Sequence, residues 1–251
     1  ILEKITLFND KHSAIDIDFL YKYPLSDNSK IEFGYDGRII DNKSNMSFLE
    51  SVLFDEDIIG EPLTDDYIDN EFLFKRNLHG VFIEYENQLT DYFSIKPSLR
   101  IEKLDRDVGF ETNFISAFDL ENSLYDDLFN EAAGETYDLD TLEVYPYLNM
   151  TYNIAKNENL QFGFGRRVER PGGSHGSWQV MPFPTNIYNE QFIFVGNPFL
   201  QPEYSNQYDL NYSRPIPMGF ASLSLFYHDI ENKIEWYDDD SYGSIGDVLT
   251  F

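Results

Sequence analysis

The sequence predicts an all-β protein: an antiparallel transmembrane β-barrel, of which this chain supplies about ten strands, with short turns at one end and long loops at the other. Three observations carry that expectation. Apolar and polar residues alternate with a period of two in one segment after another, which gives each strand two unlike faces. Short connections near 24–30, 87–92, 154–159 and 213–219 take turns with long ones near 42–70, 107–142 and 171–204. The segments between them run to roughly 9–14 residues, enough to cross a bilayer at a tilt.

The first strand lies in 13–23, where Ile15, Ile17, Phe19, Tyr21 and Tyr23 share one face and Asp16, Asp18 and Lys22 the other. The turn formers of PLSDNS follow, and then KIEFGYDGRII, with Ile31, Phe33 and Tyr35 on one side. From Asp41 to Asn70 the chain reads as an acidic loop. The strand NEFLFKRNLHGVFIEYENQL comes next, and its alternation slips between Asn77 and Gly80, which predicts a bulge. In YFSIKPSLRIEKL, Phe93, Ile95, Leu99 and Ile101 oppose Ser94, Lys96, Arg100 and Glu102; Pro97 is out of place in a central strand.

A second acidic insert covers 107–140, with a helical turn expected over 122–133. LEVYPYLNMTYNI and LQFGFG then alternate across the turn AKNEN. After the long 171–204 loop come NQYDLNYS and FASLSLFYHDIENKIEW, joined by SRPIPMG, and a tail that starts one more strand.

Composition narrows the class. The 251 residues hold 18 basic and 45 acidic side chains, a net charge of −27, which excludes the basic footprint of a nucleic-acid binder. Cysteine is absent, so disulfides and thiolate metal sites are excluded. Aromatics reach 17%, with 18 Tyr and 22 Phe, as suits a surface apolar on one side and wet on the other. No run approaches a membrane helix, and a mean hydropathy of −0.42 is what alternating strands average to. The start at Ile1, without a leader pattern, implies a processed or truncated chain.

In a membrane barrel Ile15, Phe19, Leu99, Phe162, Leu210 and Leu223 face lipid, and Arg100, Gln161, Asp209, Asn211 and Ser222 face the lumen, because charge in hydrocarbon is costly. The alternative is a soluble β-sandwich with a solvated outer face, binding glycans or cations. Loop asymmetry favours the barrel.

Family motifs add to this reading. The stretch RRVERP (Arg166 to Pro171), then Gly196, Asn197, Pro198, Leu200, Pro202 and Glu203, then Phe226, Tyr227, Asn232 and Ile234, resembles the barrel region of Bacteroidetes-type TonB-dependent outer-membrane receptors. The pieces ending in Arg38 and the stretch SIKPSLRIE are similar to earlier motifs of that family. The resemblance implies a barrel of roughly twenty-two strands with a plugged lumen. It also implies residence in the bacterial outer membrane among lipid and lipopolysaccharide, and active import of a metal chelate, glycan or peptide. The partners implied are an energy coupler of TonB type acting through a plug and a surface lipoprotein or other outer-membrane subunit. A structural or scaffold role for such a barrel is the other reading.

The whole of 1–251 reads as one partial barrel domain, without an enzyme site: His12, His79, His175 and His228 are scattered and fit no catalytic motif. No cofactor is implied. Ca²⁺ at the acidic runs Asp55–Asp57, Asp65–Asp66 and Asp238–Asp240 lacks an EF-hand pattern, and a solvated loop accounts for them better. The candidates that face lumen or plug are Arg100, Gln161, Arg167, Asp209, Asn211 and His228. Ligand-contact candidates on the long loop are Trp178, Phe183, Tyr188 and Phe192. Arg166, Arg167 and Arg170 are expected to pair with lumenal carboxylates.

Overall fold

The computed structural model describes residues 2–52, 68–112, 136–171, 180, 192–235, 237–239 and 247–250, with side chains over 7–47, 70–111, 137–171, 180 and 196–235. Six long strands come first: β1 (Leu2–Ser26), β2 (Ser29–Val52), β3 (Ile68–Thr90), β4 (Phe93–Thr112), β5 (Thr136–Ala155) and β6 (Glu158–Glu169). After the short β7 (Phe192–Val195) come β8 (Glu203–Ile216), β9 (Gly219–Glu231), β10 (Tyr237–Asp239) and β11 (Asp247–Thr250). Among the described residues eight strands form one sheet in the order β1-β2-β3-β4-β5-β6-β8-β9, while β10, β11 and β7 form a small second sheet. Every pair in the large sheet is antiparallel.

Two-residue turns at 27–28, 91–92, 156–157 and 217–218 close the hairpins at one end, inside the four short connections expected. Asn157 takes φ 62°, a left-handed conformation its short polar side chain tolerates. Neighbouring turns are tied together: Gln88 N donates to Asn28 O at 2.8 Å and Asn153 N to Tyr92 O at 2.7 Å.

The far ends of the strands differ from expectation. Instead of stopping after 9–14 residues, β1 to β5 run for 20–25, and β2 to β5 extend into both ends of the acidic stretches read as loops. Nor is there a bulge at 77–80. The register of β3 against β2 and β4 is unbroken from Asn70 to Glu84, and the described register shifts sit beside the tight turns. The alternation slips because the apolar face changes sides. Near the turns Val81 and Ile83 point outward with Phe33, Leu99 and Ile101, all substantially exposed. Farther along, Phe72 and Phe74 point inward with Val108 and Phe110, all buried. The helical turn expected over 122–133 lies outside the described residues.

On β4 the outward apolar belt extends from Phe93 to Ile101, close to the roughly 9–11 residues of a membrane-crossing strand. Above it the outer face turns charged, with Lys103 paired to Asp140 and Lys43 to Glu71 at 2.6 Å. The hydrocarbon boundary therefore falls between Ile101 and Lys103, and the strands project well beyond it. Pro97 is accommodated inside the sheet: the β3–β4 pairing skips from Glu84↔Ser98 to Asn87↔Ile95, while Pro97 stays opposite Leu148 of β5. A missing N–H thus removes ladder bonds on one side only.

Candidate functional site: the lumenal wall

Within the belt the inward face is built from charges that neutralise one another across strands. Arg100 of β4 donates from both terminal nitrogens to the Asp36 carboxylate of β2, at 2.5 Å for the Nη2–Oδ1 bond, and from Nε to Glu102. It crosses β3 at Gly80, where a Cβ would collide with the guanidinium. Glycine is required there by close approach rather than by backbone conformation. Glu102, itself buried, also accepts from Arg170, whose Nη2 donates to Tyr145 Oη at 3.1 Å. Arg166 lies 3.9 Å from Glu143 and stacks over the Tyr204 ring at 4.8 Å. Lower on the wall Glu32 bridges Lys22 at 2.9 Å and Lys30 at 3.2 Å, and Lys96 meets Glu84 at 2.9 Å.

Pro146 helps bring the arginines to their partners. The β5–β6 ladder ends at Tyr147↔Gly165, one residue short of this proline, and β6 continues on β8 alone. The end of β6 is free to carry Arg166 and Arg170 over to Glu143 and Glu102.

Beside this network is a polar cavity of about 160 Å³ between β5, β6 and β8. Gly163 and Gly165 form its floor, since neither presents a side chain, and Tyr147, Asn149, Gln161, Arg167, Gln207, Asp209 and Asn211 surround it. Its chemistry is four amides, one carboxylate, one phenol and one guanidinium. Such a surface donates and accepts hydrogen bonds in many directions. Of the six lumen- or plug-facing candidates, Gln161, Arg167, Asp209 and Asn211 thus share one cavity. Arg100 lies elsewhere, in the charge network, and His228 sits on the exposed strand β9 opposite Gln207. The expected pairing of the arginines holds for Arg166 and Arg170; Arg167 has no ion pair among the described residues and opens onto the cavity.

Trp178, Phe183 and Tyr188 lie outside the described residues, as do the acidic runs at 55–57 and 65–66. Phe192 begins β7, which pairs in parallel with β11. Asp238 and Asp239 belong to β10, and no side chain is described at any of these positions.

The motif residues that end the long loop act as stitches. Asn197 Oδ1 accepts from Phe199 N at 2.8 Å and turns the chain. Asn232 donates to Pro202 O at 3.3 Å, and Glu203 accepts from Ile234 N at 2.8 Å, so the segment after β9 is pinned to the start of β8. The same segment, 196–202, reaches the inner face above the belt: Phe199 meets Tyr137 edge-on at 4.6 Å, and the Leu200 carbonyl accepts from Arg106 at 3.3 Å. A single sheet cannot seal its own face, so the complete burial of Phe72 and Val108 requires such a cover.

Sequence reasoning missed Asp36, Glu102, Tyr145, Arg76 and Arg106. A phase switch in the alternation marks where the last two lie, but it reads as a bulge until the register is known.

A model of the outer membrane protein beta-barrel family matches residues 4–245. The chain belongs to that family. Its place is therefore the bacterial outer membrane, and its outward apolar belt is the lipid-facing surface. Among solved structures, the siderophore receptor PiuA from Acinetobacter baumannii matches with a TM-score of 0.51 at 10% identity, over 88% of this chain and 32% of that one. The copper transporter OprC matches 96% of this chain and 41% of its own at 12% identity, with a TM-score of 0.47. The ferric-catecholate import receptor Fiu from K12 E. coli matches 95% and 43% at 12% identity, with a TM-score of 0.40. The chain thus spans about a third of the first receptor, and its sheet resembles part of that receptor's barrel. No curated protein matches the chain.

Proposed function

We propose that this sheet is part of the barrel of a TonB-dependent receptor that imports a scarce nutrient, a metal chelate, a glycan fragment or a peptide, through a lumen gated by a plug. The observation that carries the reading is the cavity over Gly163 and Gly165. It is a ring of amides with one guanidinium and one carboxylate, held at membrane depth on the inward face, where a sealed hydrocarbon-like interior would carry apolar side chains. The work is binding and passage, without covalent chemistry. The barrel's outer surface meets lipid and lipopolysaccharide. Energy reaches the plug from an inner-membrane coupler, and a surface lipoprotein or another outer-membrane subunit shares capture of the nutrient.

The test is genetic and uses the full-length gene in its own host. Deleting that gene, or the energy coupler, abolishes growth on the same nutrient from a panel of metal chelates, glycans and peptides, and the gene in trans restores it. Gly163→Gln, placed where a Cβ meets nothing closer than 3.7 Å, fills the cavity and lowers uptake while the barrel still inserts. Uptake of every nutrient that survives the deletion, together with loss of another outer-membrane protein, would replace import with a scaffold role.

A further inference from the structure

Arg76 of β3 and Arg106 of β4 are direct cross-strand partners on the inward face above the membrane belt. They are the most buried cations among the described residues, at 5% and 3% exposure. Their neighbours on that face are apolar: Phe74 and Val108 on one side, Leu104 on the other, and Ile40 opposite Arg76. Like charges directly opposite in a sheet repel, and burial removes the water that would screen them.

Neither arginine forms an ion pair among the described residues. Among the described residues Arg106 reaches the Leu200 carbonyl, at 3.3 and 3.4 Å, and Arg76 the Phe74 ring, 6.0 Å from its guanidinium carbon. The Nε of each is sealed from solvent with no acceptor. Burial, and after it the charge of Arg76, pushes Arg106 down to about 10; Arg76 is pushed down by burial and then by Arg38 and Arg170.

Scarcity of carboxylates does not explain the arrangement, because the chain holds 45 acidic residues. Three other arginines on this wall have one: Arg38 has Asp16 at 3.2 Å, Arg100 has Asp36 and Glu102, and Arg170 has Glu102. A desolvated pair of cations with orphaned donors is unfavourable unless an anion completes it.

We infer that Arg76 and Arg106 form an oxyanion site on the lumenal wall, beside the Leu200 carbonyl, that takes one carboxylate or phosphate group. Two planar guanidiniums supply the paired N–H donors that carboxylate and phosphate oxygens accept. The inference does not rest on the import reading, since the site requires an anion whether the barrel transports or scaffolds. The anion is either a group on a free solute or a carboxylate of the full-length protein itself.

The test is thermal unfolding of the full-length protein in detergent, in inorganic phosphate against chloride at equal ionic strength, for wild type and for Arg76→Met/Arg106→Met. A solute site raises the wild-type melting temperature with phosphate and leaves the variant's unchanged. A site filled by the protein's own carboxylate shows no phosphate effect, and the variant melts below wild type because that carboxylate loses its partners. The inference is overturned if phosphate has no effect and the variant melts at or above wild type, or if phosphate raises both alike. Should the double variant fail to insert, Arg76→Gln alone carries the same comparison.

Discussion

The membrane belt and the projecting upper half are made by the same strands, yet they invert each other. In the belt Val81, Ile83, Leu99 and Ile101 point out and Asp36, Arg100 and Glu102 point in. Above it Phe72, Phe74, Val108 and Phe110 point in, while Lys103, Asp105, Asp107 and Asp140 take the outer face. The pleat and the register do not change; the solvent on each side does. Lipid outside demands apolar side chains there, and a wet or plugged lumen accepts charge that is paired. Past the headgroups water returns to the outside, and the chain's own 196–202 segment reaches the inner face at Tyr137 and Arg106. A strand can therefore run straight while its hydrophobic pattern shifts phase by one residue.

The largest expected effect separates these two kinds of apolar surface. Phe72→Ala removes a fully buried ring from the upper inner face and costs about 3–5 kcal/mol, as cavity-forming Phe truncations do. Leu99→Ala truncates a lipid-facing side chain in the belt, where acyl chains fill the gap. It costs less than half as much if the two faces are solvated as described. Denaturant titration of the full-length protein folded into vesicles measures both. Equal costs would break the distinction between packed interior and lipid contact.

A second substitution pair tests the boundary itself. Ile83→Arg places a charge on the outer face in mid-belt and costs about 2–4 kcal/mol; Leu73→Arg, on the same strand and face but above the belt, costs about 0–1 kcal/mol. Both are read by the same titration. If Leu73→Arg proves as costly as Ile83→Arg, the hydrocarbon reaches higher than the Ile101–Lys103 step.

The belt was legible because its pattern is local. Ile15, Phe19, Leu99, Phe162 and Leu210 fall on one face by parity alone, and the tight turns carry Asp, Asn and Pro. Four of the six lumenal candidates share a cavity for the same reason: Gln161, Arg167, Asp209 and Asn211 oppose the apolar residues on their strands. The upper half was misread because its acidic residues resemble loop composition, although the described Asp41, Glu71, Asp107, Asp138 and Asp140 lie on continuing strands. Arg76 and Arg106 escaped notice because their juxtaposition depends on the β3–β4 register and they stand 30 positions apart in the chain. Asp36 and Arg100 meet only because Gly80 leaves a gap in the strand between them.

The smallest effect probes the upper outer face, where Asp107 gathers with other carboxylates. Asp107 faces Asp105 and Asp138, with Lys75 as the opposing charge. Burial first, and then those two carboxylates, hold it above the usual value of 3.8. A raised value in the folded state means that the folded chain binds this proton more tightly than the unfolded chain. The group therefore favours folding below 3.8, and that advantage is lost as pH rises from there through its folded value. Asp107→Asn removes this contribution. It flattens stability against pH in that window and raises stability at neutral pH, within about 0.5 kcal/mol as for other surface positions. The lumenal carboxylates differ in having cationic partners. Glu102 is held by two arginines, so its replacement by Gln destabilises at neutral pH. A neutral-pH gain from Asp107→Asn beside a loss from Glu102→Gln would show that charge outside the barrel is tolerated while charge inside it is structural; two losses would mean that the outer cluster, too, is held by partners.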